Sequence, residues 1–190
     1  MTSTHHSDSV SATENRTVRH IAGFIAGFTV FMILLPSTLW GLSLLEDRFL
    51  DISIFPSNPL RIGLSAIVFI WGMWFVIWSN AFLVFVGKGG PANVGNVVIS
   101  PLTRKLVISG PYRYTRNPMV FGTNAVYLSI SIYLDSWMCL LALGLFIFTI
   151  VRTAIRMEEV RLLRDFGTEY EAYRNTTSMI VPLPPKKQKS

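Results

Sequence analysis

Cysteine is nearly absent from this chain. Cys139 stands alone inside an apolar run, so no internal disulfide braces the fold, and its ordinary role is that of a small buried side chain. Histidine is almost as scarce. His5 and His6 lie in a polar leader and His20 opens the first apolar run, so hydrolysis built on histidine-held metal has no ligand set, and no metal is expected. A GxGxxG turn after a strand, a Walker phosphate loop and a GxSxG elbow are all missing, and Gly87-Lys88-Gly89-Gly90 lacks the P-loop spacing and its Ser or Thr. Acids are also few: 11 Asp and Glu stand against 17 Lys and Arg, for a formal net charge of +6. The basic residues adjoin long apolar stretches, which favours a membrane surface and argues against a nucleic-acid partner.

What the chain has in abundance is apolar surface. Of 190 residues, 51% are hydrophobic, and the mean hydropathy is +0.44. That is too apolar for a soluble domain, and the length suits one domain. Residues 1–19 read as a disordered polar leader without a cleavage site, residues 20–183 as one membrane domain, and residues 184–190 as a basic tail. Four apolar stretches follow the leader: Ile21 to about Leu45, about Leu60 to Val86, about Pro118 to Leu134, and Trp137 to Val151. About 20 apolar residues cross a bilayer core, so the first two span comfortably and the last two are near the short limit. Only Asp135 and Ser136 separate those two, which predicts a tight helical hairpin. Pro36 should kink the first span. Trp71, Trp74 and Trp78 fall on one face of the second, as a lipid-facing or packing stripe. The expected fold is therefore an all-α integral membrane protein with about four transmembrane helices, or five if a long run is split.

Loop charge gives an orientation. The connection from Glu46 to Asp51 carries three acids against Arg48, whereas Gly87 to Arg116 carries Lys88, Arg104, Lys105, Arg113 and Arg116 with no acid. The positive-inside rule then puts the N-terminus, the second loop and the C-terminus in the cytoplasm. The last apolar run continues through Arg152, Ile155, Arg156, Glu158, Glu159, Leu162 and Leu163, with no Pro or Gly until Gly167. A helix from Ser136 to Phe166 would be about 46 Å long. It would outrun a core of roughly 30 Å and project about three turns into the cytoplasm. The hairpin makes the cytoplasmic ends of its two helices neighbours. That brings the polar segment from Arg104 to Val120 beside the one around Arg156, Glu158 and Glu159. Headgroup anchoring and solvated helix charge are the plain alternatives for both.

Ser109-Gly110-Pro111-Tyr112-Arg113-Tyr114-Thr115-Arg116-Asn117-Pro118-Met119 resembles the G-x-Y-x-x-x-R-[HN]-P signature of the isoprenylcysteine carboxyl methyltransferases and their phospholipid methyltransferase relatives. Glu158-Glu159-x-x-Leu162-Leu163-x-x-Phe166-Gly167-x-Glu169-Tyr170-x-x-Tyr173, closing with Ile180-Val181-Pro182, is similar to that family's tail. The two pieces span about residues 88–182. The resemblance implies a methyltransferase using S-adenosylmethionine, with S-adenosylhomocysteine as product, acting on a lipophilic, prenylated acceptor reached through the bilayer. By the same resemblance Arg104, Lys105, Leu106 and Val107 would border the cofactor. Tyr112, Asn117, Pro118, Met119 and Val120 would line it, and Glu158 would bind it. Asn117 stands where many members have histidine, and Val120 where tyrosine is common. A family arginine near the acidic pair meets the substrate. Ungapped alignment puts Ala154 there, which leaves Arg156, or alternatively Arg152, as the candidate.

The chemistry suits that reading. Methyl transfer from a sulfonium neutralises charge, so a dry pocket and good positioning provide most of the rate. A carboxylate acceptor is already ionised and needs only a cation to hold it. A phospholipid amine is the alternative acceptor and must first lose a proton, which Asn117 cannot take; a non-enzymatic membrane scaffold is the alternative to an enzyme.

Overall fold

The computed structural model describes residues 25, 29–50, 52–87, 93–94, 97–98 and 105–186. The first span opens with a π-helical turn, Val30–Leu34, and continues as α1, Leu35–Phe49. Pro36 explains the wide turn. The Leu35 N–H reaches back to the Val30 carbonyl, and Pro36 has no N–H to offer the next one, Phe31. The Tyr127 hydroxyl donates to that Phe31 carbonyl at 2.6 Å. The expected kink is thus a π turn whose orphaned carbonyl is satisfied by a neighbouring helix.

The second span is α2, Asn58–Phe85, with a proline in its first turn where no N–H is needed. Its exposed faces carry Ile67, Ile70, Trp71 and Trp74, the surface that lipid requires. A two-residue antiparallel ribbon, β1 (Asn93–Val94) with β2 (Val97–Val98), pairs Asn93 with Val98 and Val94 with Val97. Among the described residues it and a single parallel bridge between Thr115 and Ser178 are the β pairings in an otherwise helical fold.

The third span is α3, Pro118–Leu134. It crosses α2 at a pair of glycines. A Cβ on Gly72 would lie 2.8 Å from the Val126 nitrogen, and one on Gly122 would lie 2.7 Å from the Gly72 carbonyl oxygen. In a bilayer, helices gain little from hydrophobicity, and close backbone approach at small residues supplies the packing. Phe75 and Phe121 extend the contact edge-to-face, with centroids 4.9 Å apart.

Asp135 turns the chain in a left-handed conformation (φ 57°), and Ser136 caps α4, Trp137–Ile150, by accepting from the Cys139 N–H at 3.1 Å. Glu46 of α1 completes that cap. Its carboxylate accepts from the Ser136 hydroxyl and from the backbone N–H groups of Trp137 and Met138, each at 3.0 Å. This corrects the reading of Glu46 as a loop charge. The residue is 3% exposed and lies within α1, because the unpaired N–H groups of a helix start recruit a carboxylate. The first helix accordingly runs to Phe49, beyond the Leu45 expected from hydropathy. Asp135 is bound the same way, accepting from the Ser53 hydroxyl at 2.6 Å and the Ile54 N–H at 3.0 Å, with Arg61 at 3.5 Å.

After α4 a second π turn, Val151–Ile155, leads into α5, Arg156–Thr176, which kinks at Gly167 (φ 52°). Trp137–Thr176 is one helical run of 40 residues. That run, Val30–Phe49 and Asn58–Phe85 are long and apolar enough to cross a membrane, while the apolar Pro118–Leu134 has 17 residues, or about 25 Å. The chain is an all-α integral membrane protein, with the hairpin and overlong last helix that its sequence predicts.

Candidate active site

The signature segment is held between α2 and the C-terminal end of the chain. Gly110 takes a left-handed conformation (φ 61°), and a Cβ there would meet the Phe82 ring at 2.5 Å, so glycine is required. A 3-10 turn, Gly110–Arg113, follows, with Pro111 buried beneath it. Thr115 is fully buried and donates its hydroxyl to the Met179 carbonyl at 3.1 Å. The Asn117 amide donates to the same carbonyl at 2.9 Å. The backbone is stitched alongside. The Arg116 N–H donates to the Ser178 carbonyl at 2.9 Å, and the Leu183 N–H to the Tyr114 carbonyl at 3.0 Å. The two motifs, separated by an entire hairpin in sequence, are hydrogen-bonded to each other.

Helix α5 supplies the opposite wall. Arg116 and Glu159 form an ion pair at 2.5 Å, with side chains 9% and 14% exposed. Tyr170 is buried beside them, and the Tyr173 hydroxyl donates to the Tyr112 carbonyl at 2.6 Å. Burial, and then the nearby Glu159 carboxylate, push the Tyr170 hydroxyl up to about 12. Burial also raises Tyr112 and Tyr173 above the ordinary tyrosine range. All three phenols therefore stay protonated at any physiological pH and can donate.

The expected site residues fall into groups. Tyr112, Asn117, Pro118, Met119 and Val120 lie together on the 3-10 turn and the first turn of α3; Pro118 is buried and the others are half-buried. Val107 is buried, Leu106 half-buried and Lys105 exposed, while Arg104 lies outside the described residues. Glu158 is tied along its own helix to Arg161, whose Nε donates to it at 2.9 Å and whose guanidinium pairs with it a second time. Arg156 and Arg152 are exposed, and Arg152 lies 5.5 Å above the Phe148 ring. Sequence reasoning did not single out the pair Arg116 and Glu159, although both stand inside the quoted motifs. The available signal was that a cation at the foot of an apolar helix needs a nearby acid once it is buried.

Arg116 Nη1 and Glu159 Oε1 partner each other in that ion pair, and Arg116 Nε is the guanidinium atom left buried without a partner among the described residues. Residues 60–169, more than half of the chain, match the phospholipid methyltransferase family.

The chain belongs to that family.

The phospholipid methyltransferases are membrane methyltransferases related to the isoprenylcysteine carboxyl methyltransferases, and such enzymes generally use S-adenosylmethionine. No curated protein and no solved structure matches the chain. The family assignment and the membrane spans make this an integral membrane methyltransferase.

Proposed function

We propose that the protein transfers the methyl group of S-adenosylmethionine to a lipophilic acceptor at the end of the helix bundle where the signature meets α5. The observation that carries this reading is the buried Arg116–Glu159 pair, which joins the two motifs and leaves Arg116 Nε without a partner among the described residues. When bound, the cofactor supplies a methyl group on a sulfonium. Arg116 and Glu159 would hold its amino-acid end, Tyr112, Asn117, Pro118, Met119 and Val120 would line it, and Leu106 and Val107 would exclude water. Glu158 would bind its hydroxyl or amine donors after release from Arg161. The motif-bearing part of the single membrane domain is residues 88–182. The positive loops support an orientation with both termini and this site in the cytoplasm.

Two acceptor classes have support. A prenylcysteine-type carboxylate is favoured by the likeness of both motifs to the carboxyl methyltransferases. It is also favoured by Arg156, exposed at the start of α5 with no ion-pair partner among the described residues. A phospholipid amine is favoured by the family match and by an unpaired oxygen on Asn124, considered below.

Calorimetry with S-adenosylhomocysteine in detergent tests the cofactor claim. Glu159→Gln and Glu158→Gln should each weaken binding by roughly 1.5–3 kcal/mol through loss of a charge-assisted hydrogen bond. Binding untouched in both variants would remove the cofactor from this end of the bundle. For the carboxylate acceptor, transfer should fall in the order Arg156, Arg156→Lys, Arg156→Ala, since lysine keeps the charge but loses the fork. The Ala variant should lose roughly 30- to 1000-fold. Rates unchanged in that series and in the same Arg152 variants would leave the carboxylate without its cation.

A further inference from the structure

One buried polar atom is left over from the site just described. Asn124 lies on α3 two turns beyond Asn117 and on the same face, with Val120 between them. It is 9% exposed. Its amide nitrogen donates to the Val120 carbonyl at 2.8 Å. A carbonyl can only accept, so that bond fixes which end of the amide is which, and Asn124 Oδ1 is left buried without a donor among the described residues. Deeper members of the stripe are satisfied: the Tyr127 hydroxyl donates to Phe31, and the Ser131 hydroxyl to Tyr127. An unmet carbonyl oxygen at membrane depth is costly and is tolerated where something else supplies the donor. An N–H fits it, whereas a carboxylate brings only further lone pairs and is repelled.

We infer that Asn124 Oδ1 receives an N–H of the methyl-accepting group, which makes it the residue that selects a lipid amine over a lipid carboxylate. The inference rests on the methyl-transfer reading above. An ammonium headgroup first sheds one proton to water. The amine lone pair then forms the C–N bond as the C–S bond breaks, and the bonding electrons remain on sulfur as the thioether. Positive charge passes to nitrogen, whose remaining N–H stays on Asn124 Oδ1. The amide orients the lone pair away from itself, toward Val120 and the signature.

The test compares wild type, Asn124→Leu and Asn124→Asp in two assays. The first measures methyl transfer to phosphatidylethanolamine vesicles and to farnesylcysteine. The second measures, without cofactor, retention of phosphatidylethanolamine over phosphatidylglycerol by native mass spectrometry. Asn124→Leu should lower transfer to the amine roughly 10- to 100-fold and abolish the lipid preference. Its farnesylcysteine rate and S-adenosylhomocysteine binding should not change. Asn124→Asp, which keeps an acceptor oxygen, should recover much of the amine activity. Should the Leu variant lose S-adenosylhomocysteine binding, Asn124→Ala, which cannot overfill the site, carries the same expectation. An equal loss on both acceptors, or none on the amine, overturns the inference. So does a wild-type enzyme that methylates only the carboxylate, although that result would leave the methyltransferase reading standing. A wild type that neither binds S-adenosylhomocysteine nor transfers a methyl group takes both down.

Discussion

Single charged residues in this protein are placed where helix ends or opposite charges need them, and two cases predict measurable behaviour. Asp135 is largely buried, which by itself would raise its pKa. Hydrogen bonds from Ser53, Ile54 and Phe55, with the charge of Arg61, outweigh burial and hold the carboxyl below its ordinary value. A carboxylate with a depressed folded-state pKa adds stability above its unfolded pKa of about 4, and that stability is lost as pH falls through the folded value. The Tm of the solubilised protein should therefore drop at acid pH, and Asp135→Asn should flatten that part of the curve while lowering the neutral-pH plateau. A parallel acid slope in the variant would show that Asp135 does not control it. Arg116 gives the second case. Arg116→Ala strands a buried Glu159, at a cost of about 3–5 kcal/mol, whereas Arg116→Met with Glu159→Met should restore much of the stability without restoring S-adenosylhomocysteine binding. Denaturant melts of the single and double variants separate the two roles, because a double variant that still binds would make the pair purely structural.

Among helices, the crossing of α2 over α3 is the tightest constraint, and it gives a matched pair of substitutions. Gly122→Ala places a Cβ 2.7 Å from a backbone oxygen and 2.8 Å from a backbone nitrogen, neither of which can swing aside. The helices must separate, at about 1–3 kcal/mol. Gly144→Ala on α4 meets nothing within 4 Å and should be neutral or slightly stabilising by helix propensity. Equal Tm values for the two variants would mean that the crossing is looser than its geometry. Much at this scale was legible in sequence. Apolar run length located α2, and Asp135-Ser136 marked the hairpin between Pro118–Leu134 and Trp137–Ile150. The π turns were not legible, because hydropathy carries no information on whether a carbonyl pairs four or five residues along. Glu46 was misread because a lone acid near the end of an apolar run looks like loop charge until its partner helix is placed beside it. The candidate site stands in the sequence as two motifs, but the link from Arg116 to Glu159 depends on the return path of a whole hairpin.

For the molecule as a whole, the polar contacts divide between the two ends of the bundle, and that division makes the orientation testable. One end carries the Glu46 cap and the Asp135 lock; the other carries the signature, α5 and the returning C-terminal segment. Four helices join them: Val30–Phe49, Asn58–Phe85, Pro118–Leu134 and the run from Trp137. In the orientation proposed above, four crossings would put both termini on one side, the side that the basic loops would make cytoplasmic by the positive-inside rule. Cys139, the chain's one native thiol, is 0% exposed, so labelling of the wild type should give little background. Ser43 and Glu46 are buried and would report poorly, whereas Asp47, Ser57, Ser109 and Lys186 are exposed. Single cysteines at Asp47 and Ser57 should react with an impermeant maleimide added outside intact cells. Those at Ser109 and Lys186 should react only after permeabilisation. Reaction of all four from outside would mean that the helices before Ser109 do not cross as arranged. Opposite behaviour of Ser109 and Lys186 would mean that the hairpin crosses once, not twice. In that case the 17-residue α3, the shortest of the four apolar helices, fails to span. The signature and α5 would then lie on opposite faces of the bilayer, and a site built from both could not form.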